Sequence, residues 1–545
     1  MTTTDQPELA LFADPRLQCH EHDGWFALGR VFGPSPRQRQ RMAPNVSHVD
    51  QATMFAQAHW GDYVRLRASG QNAIVQRAAM TGMPVYWTWL DGALLIFSDL
   101  SLALTAGLFR PSVDWDFVVQ RLTVQDLRTC QTGLSGVSEL LPGEALLFGN
   151  RAIEARQLWS PWPFVEDQAQ IEDRLAAAAA VRRATIEVMS AWASESGRIL
   201  LELSGGLDSS IVAVALAACG ADFACISVAS EAADGDERRY AQAVARQIGA
   251  HLHEAIALTS SIDLTRAPST ITPRPPANRV LSAFDAHIRR TLTENGYSRF
   301  FSGIGGDNVF ASSNSTAPLR DALRRFGPGR HALATLTDVA TLNGTTIARV
   351  ARTAWTAARR AAPPGWTPAD RFTSRDVASH DLVRHPWLDR PPRLSSGKRQ
   401  HVDALLRISD FLDRPDRLSE AEQIAPLLSQ PLVEVCLRIP SWLWVAGGRD
   451  RAVARDAFAD LLPPLIVQRR TKGRLEAMCA GAYLAQRKQL APILLDGWLA
   501  RAGMIDTRAI EAYLARPLHA GDFDYFRLLE LVDLELWIGS VESWR

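Results

Sequence analysis

The sequence lacks the features of a disulfide-framed, membrane-spanning or strongly charged protein. Its six cysteines are scattered over 545 residues without a Cys-x-x-Cys pair, which argues against a disulfide framework and against a zinc site. No stretch approaches the ~20 apolar residues of a spanning helix, and the N-terminus shows no basic and apolar signal segment. With 59 basic and 59 acidic residues, the chain as a whole gives no electrostatic reason to bind nucleic acid or a membrane surface. We therefore expect a cytoplasmic protein that binds neither.

Lysine is also nearly absent. Only Lys398, Lys472 and Lys488 occur among the 59 basic residues, and arginine supplies the rest. A lysine in such a chain is a candidate for a role that needs a compact ammonium rather than a planar guanidinium. Lys472 is the strongest candidate, because Gly473 permits a turn that would deliver its side chain into a cleft. The alternative is an ordinary exposed lysine in a basic loop.

The spacing of apolar residues predicts an α/β protein with two domains. In the first, residues 1–165, short alternating strands such as Pro84–Leu90 and Ala93–Phe97 flank an Asp-Gly turn, which indicates an antiparallel hairpin. The proline-rich segment Trp159–Phe164 is interpreted as the linker that ends this domain. In the second, residues 166–545, apolar strands alternate with helices, as in a doubly wound parallel sheet, and the chain beyond Pro391 is predicted to be predominantly helical.

A basic insertion is predicted at about residues 311–400 of the second domain. Within residues 311–362, eight arginines oppose only Asp321 and Asp338. The segment is either a solvated helical face or a surface for a flexible anionic partner.

The most informative stretch is Leu203-Ser-Gly-Gly-Leu-Asp-Ser-Ser210, which lies directly between a predicted buried strand and a predicted helix. Two adjacent glycines let the backbone turn tightly and direct N–H groups at an anion, and the amino end of the helix adds partial positive charge. No lysine follows, so this is not a G-x-x-x-x-G-K-[ST] loop, and Asp208 suits a metal or a strong donor beside phosphates. The predicted phosphate site consists of Ser204, Gly205, Gly206, Leu207, Asp208, Ser209 and Ser210.

These residues resemble the pyrophosphate loop of the asparagine synthetase superfamily. Members of that superfamily cleave ATP between the α and β phosphates, adenylate a carboxylate and let an amine attack it. The resemblance covers roughly residues 60 to 480. Besides the loop, it rests on Asp236–Gly249 with His253-Glu254, on Phe301-Ser-Gly-Ile-Gly-Gly-Asp-Asn-Val-Phe310, on Glu422 with Pro426, and on Gln468-Arg-Arg-Thr-Lys-Gly473.

The resemblance implies roles for individual residues. Asp208 and Asp307 would hold Mg²⁺ on the pyrophosphate, and Lys472 would reach the reacting acyl-phosphate, so these three are the implied catalytic residues. The implied cofactors are ATP and Mg²⁺. The implied nucleotide-binding residues are Ser204 to Ser210 together with Ser227, Gly303 and Gly305.

Departures from the family pattern narrow the expected activity. Glutamine-dependent members carry a nucleophilic cysteine directly after the initiator methionine, whereas residue 2 here is Thr2, and Asp5 to Arg41 shows little of the glutaminase pattern. Thr2 is itself a possible N-terminal nucleophile, but we expect a degenerate glutaminase-like (Ntn-type) domain that has lost its activity. Ile304 stands where asparagine synthetases have Glu and β-lactam synthetases have Tyr, and Asn308 replaces a Glu. Because isoleucine neither takes a proton nor orients a base, both activities lose support.

The remaining branch resembles lasso peptide macrolactam synthetases, which join the N-terminal amine of a precursor peptide to an Asp or Glu side chain of the same peptide. The expected partners are then the precursor peptide, a leader-binding protein and a leader peptidase. The alternatives are an asparagine synthetase or a β-lactam synthetase-like small-molecule ligase, an RNA-modifying pyrophosphate-loop enzyme, and an inactive scaffold. The missing Cys-x-x-Cys pair and the zero net charge weigh against the RNA enzyme.

Overall fold

The chain is a mixed α/β protein with an antiparallel β-rich N-terminal region, a parallel sheet and a helical C-terminal part. The computed structural model describes residues 17–33, 47–69, 72–80, 83–90, 92–149, 152–195, 197–232, 235–276, 279–359, 366, 369–375, 377, 382–412, 421–470, 473 and 475–544. Its strands are β1 (Cys19–His22), β2 (Trp25–Phe32), β3 (Trp60–Ser69), β4 (Asn72–Arg77), β5 (Val85–Leu90), β6 (Ala93–Phe97), β7 (Val137–Leu140), β8 (Glu144–Gly149), β9 (Ala152–Gln157), β10 (Ile199–Glu202), β11 (Phe223–Ser230), β12 (Leu252–Ala257), β13 (Arg299–Phe301) and β14 (Glu422–Ile424).

The helices lie between and after these strands. Among the described residues, no helix combines the length and the apolar character needed to cross a bilayer. The helices are α1 (His48–Ala58), α2 (Leu100–Thr105), α3 (Trp115–Thr123), α4 (Trp162–Val165), α5 (Arg174–Ala193), α6 (Leu207–Ala218), α7 (Arg238–Ile248), α8 (Ser282–Asn295), α9 (Gly306–Val309), α10 (Ala317–Phe326), α11 (Arg330–Leu342), α12 (Ile347–Arg359), α13 (Ser396–Ile408), α14 (Gln430–Arg438), α15 (Ala452–Ala457), α16 (Pro464–Val467), α17 (Glu476–Leu495), α18 (Trp498–Arg501), α19 (Thr507–Ala515) and α20 (Asp524–Glu542).

The N-terminal region consists of two antiparallel sheets packed face to face. One has the order β1-β2-β3-β4-β8-β9 and the other β6-β5-β7, and the predicted hairpin is confirmed as the β5–β6 pair. Leu28 and Val64 of the first sheet share a core with Val85 and Leu140 of the second. Helix α1 packs on the outer face of the first sheet, and α2 and α3 pack beside the second, which gives four layers in the order helix, sheet, sheet, helix.

The segment Trp159–Phe164, predicted as a linker, is packed against the second half of the chain. It contains the short helix α4, and Trp159 is buried and donates through Nε1 to Glu434 Oε1 at 2.8 Å. Trp159 also packs on Trp387, with ring centroids 5.5 Å apart. The prolines end strand pairing, but the tryptophan next to them buries its large apolar surface against the second half of the chain.

The second half of the chain is built on a five-stranded parallel sheet of order β12-β11-β10-β13-β14. The strand order reverses between β10 and β13, as in a doubly wound sheet. Strand β14 lies in the part predicted to be helical, and it pairs with β13 through Glu422, Gln423 and Ile424. The prediction of a predominantly helical part is confirmed apart from this strand, because three residues are too few to show a periodicity in the sequence.

Candidate active site

The residues singled out in the sequence come together at the carboxyl edge of the parallel sheet. The loop after β10 begins with Ser204 and the loop after β13 begins with Ser302, and these two strands are neighbours. In open α/β sheets, ligands bind outside the carboxyl ends of the strands where the strand order reverses. Because β10 and β13 flank that point, the site lies in the crevice between their loops.

The glycine-rich loop after β10 is shaped by its own hydroxyls and by close packing on α7. Gly205 has φ 76°, and a Cβ at this position would lie 2.4 Å from Tyr240 Cβ. Ser210 Oγ donates to the Gly206 carbonyl at 2.6 Å, and the hydroxyls of Ser204 and Ser209 are 3.2 Å apart.

Gly206 caps the amino end of α6 without a side-chain hydrogen bond, so that end of the helix presents its backbone N–H groups and its dipole to the crevice. Leu207 is buried, and its apolar side chain belongs to the core. It therefore brings only backbone atoms to the predicted phosphate site.

The loop after β13 is pressed against the first turn of α6. A Cβ on Gly303 would lie 2.5 Å from the Ser209 nitrogen, and a Cβ on Gly306 would lie 2.4 Å from Asp208 Cβ. Gly305, with φ 82°, caps helix α9. The glycines thus let α9 start directly beside α6, and this contact brings Asp307 next to Asp208.

A residue missed by the sequence reasoning, Arg451, joins the two aspartates. Its Nη1 donates to Asp208 at 3.0 and 2.8 Å to the two oxygens, and it also contacts Asp307 Oδ1. Burial lowers the pKa of this guanidinium, but the carboxylates of Asp208, Asp307 and Asp450 outweigh it and hold the pKa well above its ordinary value. Nothing in the local sequence marks Arg451 among so many arginines, because the contact joins residues 243 positions apart.

Arg451 is held in place by its neighbours. Its φ of 51° is in the left-handed region, and its Nε donates to Asp450 Oδ2 at 2.8 Å. Burial raises the pKa of the Asp450 carboxyl, but Arg451 and Arg455 reverse this effect and keep it below its usual range. Arg455 also donates to the Asp450 carbonyl at 3.0 Å. This bond holds Asp450 in place, and Asp450 in turn orients the guanidinium of Arg451.

The acidic pair fits a Mg²⁺ ion. Asp208 and Asp307 direct carboxylate oxygens at one cationic group, and their side chains are 13% and 39% exposed. No cluster of three or more His, Cys, Asp or Glu side chains suited to a metal occurs in the described ranges. Mg²⁺ is commonly held by one or two carboxylates, with water and substrate phosphates completing the octahedron.

The segment around Lys472 is anchored beside the glycine loop. Arg469 donates through Nη1 to the Gly205 carbonyl at 2.9 Å and stacks over the Tyr240 ring at 3.7 Å. Glu237 pairs with Arg469 and accepts from the Gly473 nitrogen at 2.6 Å. Lys472 itself lies outside the described residues, so its role stays a prediction.

The remaining predicted residues fall near the same crevice or serve the fold. Ser227 is buried on β11, one residue beyond Ile226, whose carbonyl accepts from the nitrogen of Leu203 at 2.8 Å. Asn308 donates through Nδ2 to the Ala404 carbonyl at 2.7 Å, which ties α9 to α13. At the position where the family has a glutamate, Asn308 therefore makes a hydrogen bond that holds two helices together. Thr2 lies outside the described residues.

A doubly wound parallel sheet with a glycine-rich loop and an acidic pair at its switch point defines an α/β nucleotide-binding protein. The family model for asparagine synthase matches residues 181–539, more than half of the chain. The chain belongs to the asparagine synthase family.

Comparison with solved structures adds little to this assignment. One match is the structure of the allosteric regulatory enzyme of purine biosynthesis, at 11% identity and a TM-score of 0.18, covering 47% of this chain and 64% of that chain. A second is glutamine phosphoribosylpyrophosphate amidotransferase from B. subtilis complexed with ADP and GMP, at 11% identity and a TM-score of 0.17, covering 47% of this chain and 66% of that chain. This chain thus spans just under two thirds of both structures. No curated protein matches it.

Proposed function

We propose that this chain is an ATP-dependent amide ligase, and specifically a peptide macrolactam synthetase of the lasso cyclase type. It would adenylate an Asp or Glu side chain of a precursor peptide and close a ring with the N-terminal amine of that peptide, releasing AMP and pyrophosphate. The observation that carries the proposal is the meeting of Asp208 and Asp307 beside the Ser204–Ser210 loop. The match to the asparagine synthase family supports an amide-forming ligase. The assignment to the lasso cyclase type rests on the departures from the family pattern.

The chemistry follows from how the site would handle phosphate. The loop N–H groups and the amino end of α6 would bind the phosphates, and Asp208 and Asp307 would hold Mg²⁺, which neutralises phosphate charge. The substrate carboxylate oxygen attacks the α-phosphorus, the bond to the β-phosphate oxygen breaks, and pyrophosphate leaves. The amine then attacks the acyl carbon, loses a proton, and displaces AMP. Lys472 would supply positive charge to the oxyanion of this second step.

Two positions favour a peptide over a small molecule with ammonia. Residue 2 is Thr2 rather than the glutaminase cysteine, so the chain lacks the residue that would release ammonia from glutamine. Ile304 lies in the loop after β13, where it offers neither a base nor an orienting hydroxyl. The amine would then come from the substrate itself.

A peptide also makes use of the added helical wall. Closing a ring of about eight or nine residues costs only about 2 kcal/mol in loop entropy. Holding the tail through the ring orders many residues at about 1–2 kcal/mol each, which requires a large contact surface. Helices α10, α11 and α12 supply such a surface within the proposed insertion at about residues 311–400.

The proposal extends to the domain division and the partners. Residues 1–165 would be a glutaminase-like domain that keeps its layered shape without the activity, and residues 166–545 the ATP-pyrophosphatase domain. The two packed antiparallel sheets between α1 and α3 support the first part. A leader-binding protein and a leader peptidase would prepare the precursor peptide in the cytoplasm.

The test is a product analysis with the purified protein, ATP, Mg²⁺ and the precursor encoded beside it, cleaved to expose its N-terminal amine. We expect AMP, pyrophosphate and a peptide lighter by one water that resists Edman degradation, because its amine is blocked. A lysine-free control peptide with Gln in place of the acceptor Asp or Glu should stay linear. Asparagine formed from aspartate and ammonia, without a cyclic peptide, would instead establish the small-molecule alternative.

A further inference from the structure

Helix α12, the last helix of the arginine-rich stretch, is buried along one side and basic along the other. Val350 and Ala354 are buried, whereas Arg349, Arg352 and Arg359 are exposed. Trp355 is 61% exposed, and the Arg359 guanidinium lies 4.2 Å from the centre of its ring. An aromatic side chain this exposed between cationic groups is typical of a binding surface rather than of an ordinary solvated helix.

The acidic residues of the stretch do not neutralise this face. Asp321 is buried and accepts from the nitrogen of Gly397 at 2.9 Å and from the hydroxyl of Ser441 at 2.7 Å. Asp338 accepts from the nitrogen of Gly448 at 3.0 Å. Both carboxylates therefore serve contacts to other parts of the fold.

Not every arginine of the stretch is available to a partner. Arg325 pairs with Glu172 at 2.8 Å, and Arg324 donates to the Arg393 carbonyl at 2.9 Å. Within the part of the chain that the structure describes, no ion pair involves the three arginines of α12. The three arginines of α12 are thus more open to a partner than Arg324 and Arg325 of α10.

The α12 face lies near the candidate active site. Val350 and Ala354 pack in one cluster with Val445, and Arg451 lies six positions after Val445. Six residues span at most about 20 Å, whereas an extended peptide of fifteen residues spans about 50 Å. One peptide can therefore contact α12 and place a carboxylate in the crevice at the same time.

We infer that Arg349, Arg352, Trp355 and Arg359 form a docking surface for an acidic segment of the peptide substrate. This inference rests on the proposed function, and it names the face of the ligase that holds the part of the peptide outside the reaction site. Three arginines that pair with no carboxylate among the described residues complement an anionic segment, and Trp355 adds apolar contact. A peptide is favoured over nucleic acid because the chain as a whole carries no net positive charge and the family forms amides.

Direct binding tests the surface without any chemistry. The probe is a fluorescein-labelled synthetic peptide of fifteen residues rich in Glu with one Trp, titrated with the full-length protein at about 50 mM salt. We expect the variant R349Q/R352Q/R359Q to bind it at least about tenfold more weakly, with a reduced salt dependence, because three cationic contacts are lost. Trp355→Ala should also weaken binding. The matched control is Arg508→Gln, an exposed arginine on helix α19, and it should bind as the parent does.

Three outcomes would overturn the inference: equal affinity of parent and triple variant, equal affinity for a Gln-substituted peptide, or tighter binding of a fifteen-nucleotide RNA, which would make α12 a nucleic-acid surface. Circular dichroism of each variant establishes that loss of binding is not loss of fold.

Kinetics separate this inference from the proposed function. If the precursor is cyclised, R349Q/R352Q/R359Q should raise its KM at least about tenfold with little change in kcat, because the surface binds ground and transition states alike. Unchanged KM with cyclisation intact refutes the docking surface alone. Absence of any cyclic product with the parent protein refutes the proposed function, and the binding titration then decides the surface independently.

Discussion

Arg451 Nη1 lies 2.8 Å from Oδ2 of Asp208, and the same nitrogen contacts Asp307, so one guanidinium links the two candidate metal ligands. The carboxylates lie in the first turns of helices α6 and α9, which follow neighbouring strands, and without a cation they would repel each other. Arg451 therefore stabilises the acidic pair and also competes with a metal for it.

This competition predicts how Arg451→Met responds to Mg²⁺. Without metal, the variant should unfold at a lower temperature than the parent, because the paired carboxylates lose their cation. Millimolar Mg²⁺ should then raise the variant's midpoint more than the parent's, by about 1 °C for each kcal/mol of added binding free energy in a protein of this size. Differential scanning fluorimetry measures both shifts, with Arg290→Met on the exposed side of α8 as control. Equal Mg²⁺ responses in parent and variant would disprove the competition.

Asp208→Asn and Asp307→Asn should each lower the formation of AMP and pyrophosphate by about a hundredfold or more. Each substitution removes a charged oxygen from the place where phosphate charge develops. The control is Asp222→Asn, an exposed aspartate just before β11 at the opposite edge of the sheet, and it should leave the rate unchanged. Chromatography of the nucleotides measures the rates, and ADP as the product would refute the reaction proposed for this site.

Lys472→Met should keep the fold and ATP binding but lose about 10²–10³ in ring formation, the loss expected for one preorganised charge at an acyl-transfer site. Lys472→Arg should be nearly as damaging, because a planar guanidinium does not replace an ammonium at close range. The control is Lys488→Met, an exposed lysine of α17.

The third lysine cannot serve as that control, since buried Lys398 donates to the carbonyl of Ile439 at 2.6 Å. Single-turnover cyclisation measures the effect of each lysine variant. Parental rates in both Lys472 variants would place that residue on the surface.

Glutamine should be neither hydrolysed nor required, because Thr2 replaces the glutaminase cysteine. Product formation with ATP and peptide alone, unchanged by added glutamine, is the expected result, and Thr2→Ala should have parental kinetics. Glutamate that accumulates in step with product, and that disappears in Thr2→Ala, would show instead that the N-terminal threonine acts as a nucleophile.

Stability should fall as the pH rises from about 4.5 to 7, in part because of Glu144. Burial raises the pKa of this carboxyl to about 7, although it accepts from the Leu141 nitrogen at 3.0 Å. Within this window the folded protein keeps a proton that the unfolded chain loses, so the free energy of unfolding decreases with pH, by up to about 3 kcal/mol.

Glu144→Gln should flatten the profile, and Glu154→Gln, an exposed control on β9, should not. Urea unfolding at pH 5 and pH 7.5 measures the difference. Parallel profiles for the parent and Glu144→Gln would contradict the assignment to this residue.

Local sequence determined the elements and the chemistry of the phosphate loop. The Asp-Gly turn after Leu90 predicted a hairpin because few residues tolerate the turn's backbone angles, and Ser204–Ser210 predicted an anion site from its place between strand and helix. Gly249 ends α7 in a left-handed conformation, which is the usual role of a glycine that follows a helical repeat.

Tertiary structure alone decided what depends on contacts between distant parts of the chain. The pairing of Arg451 with Asp208 spans 243 positions, and this arginine is distinguished from the many others by the fold that brings it beside Asp208 and Asp307. Strand β14 exists because β13 offers it an edge, and Trp159 is buried because α14 lies above it. Packing likewise decided which arginines of the basic stretch form ion pairs. Arg325 of α10 pairs with Glu172, whereas no acidic side chain among the described residues pairs with an arginine of α12.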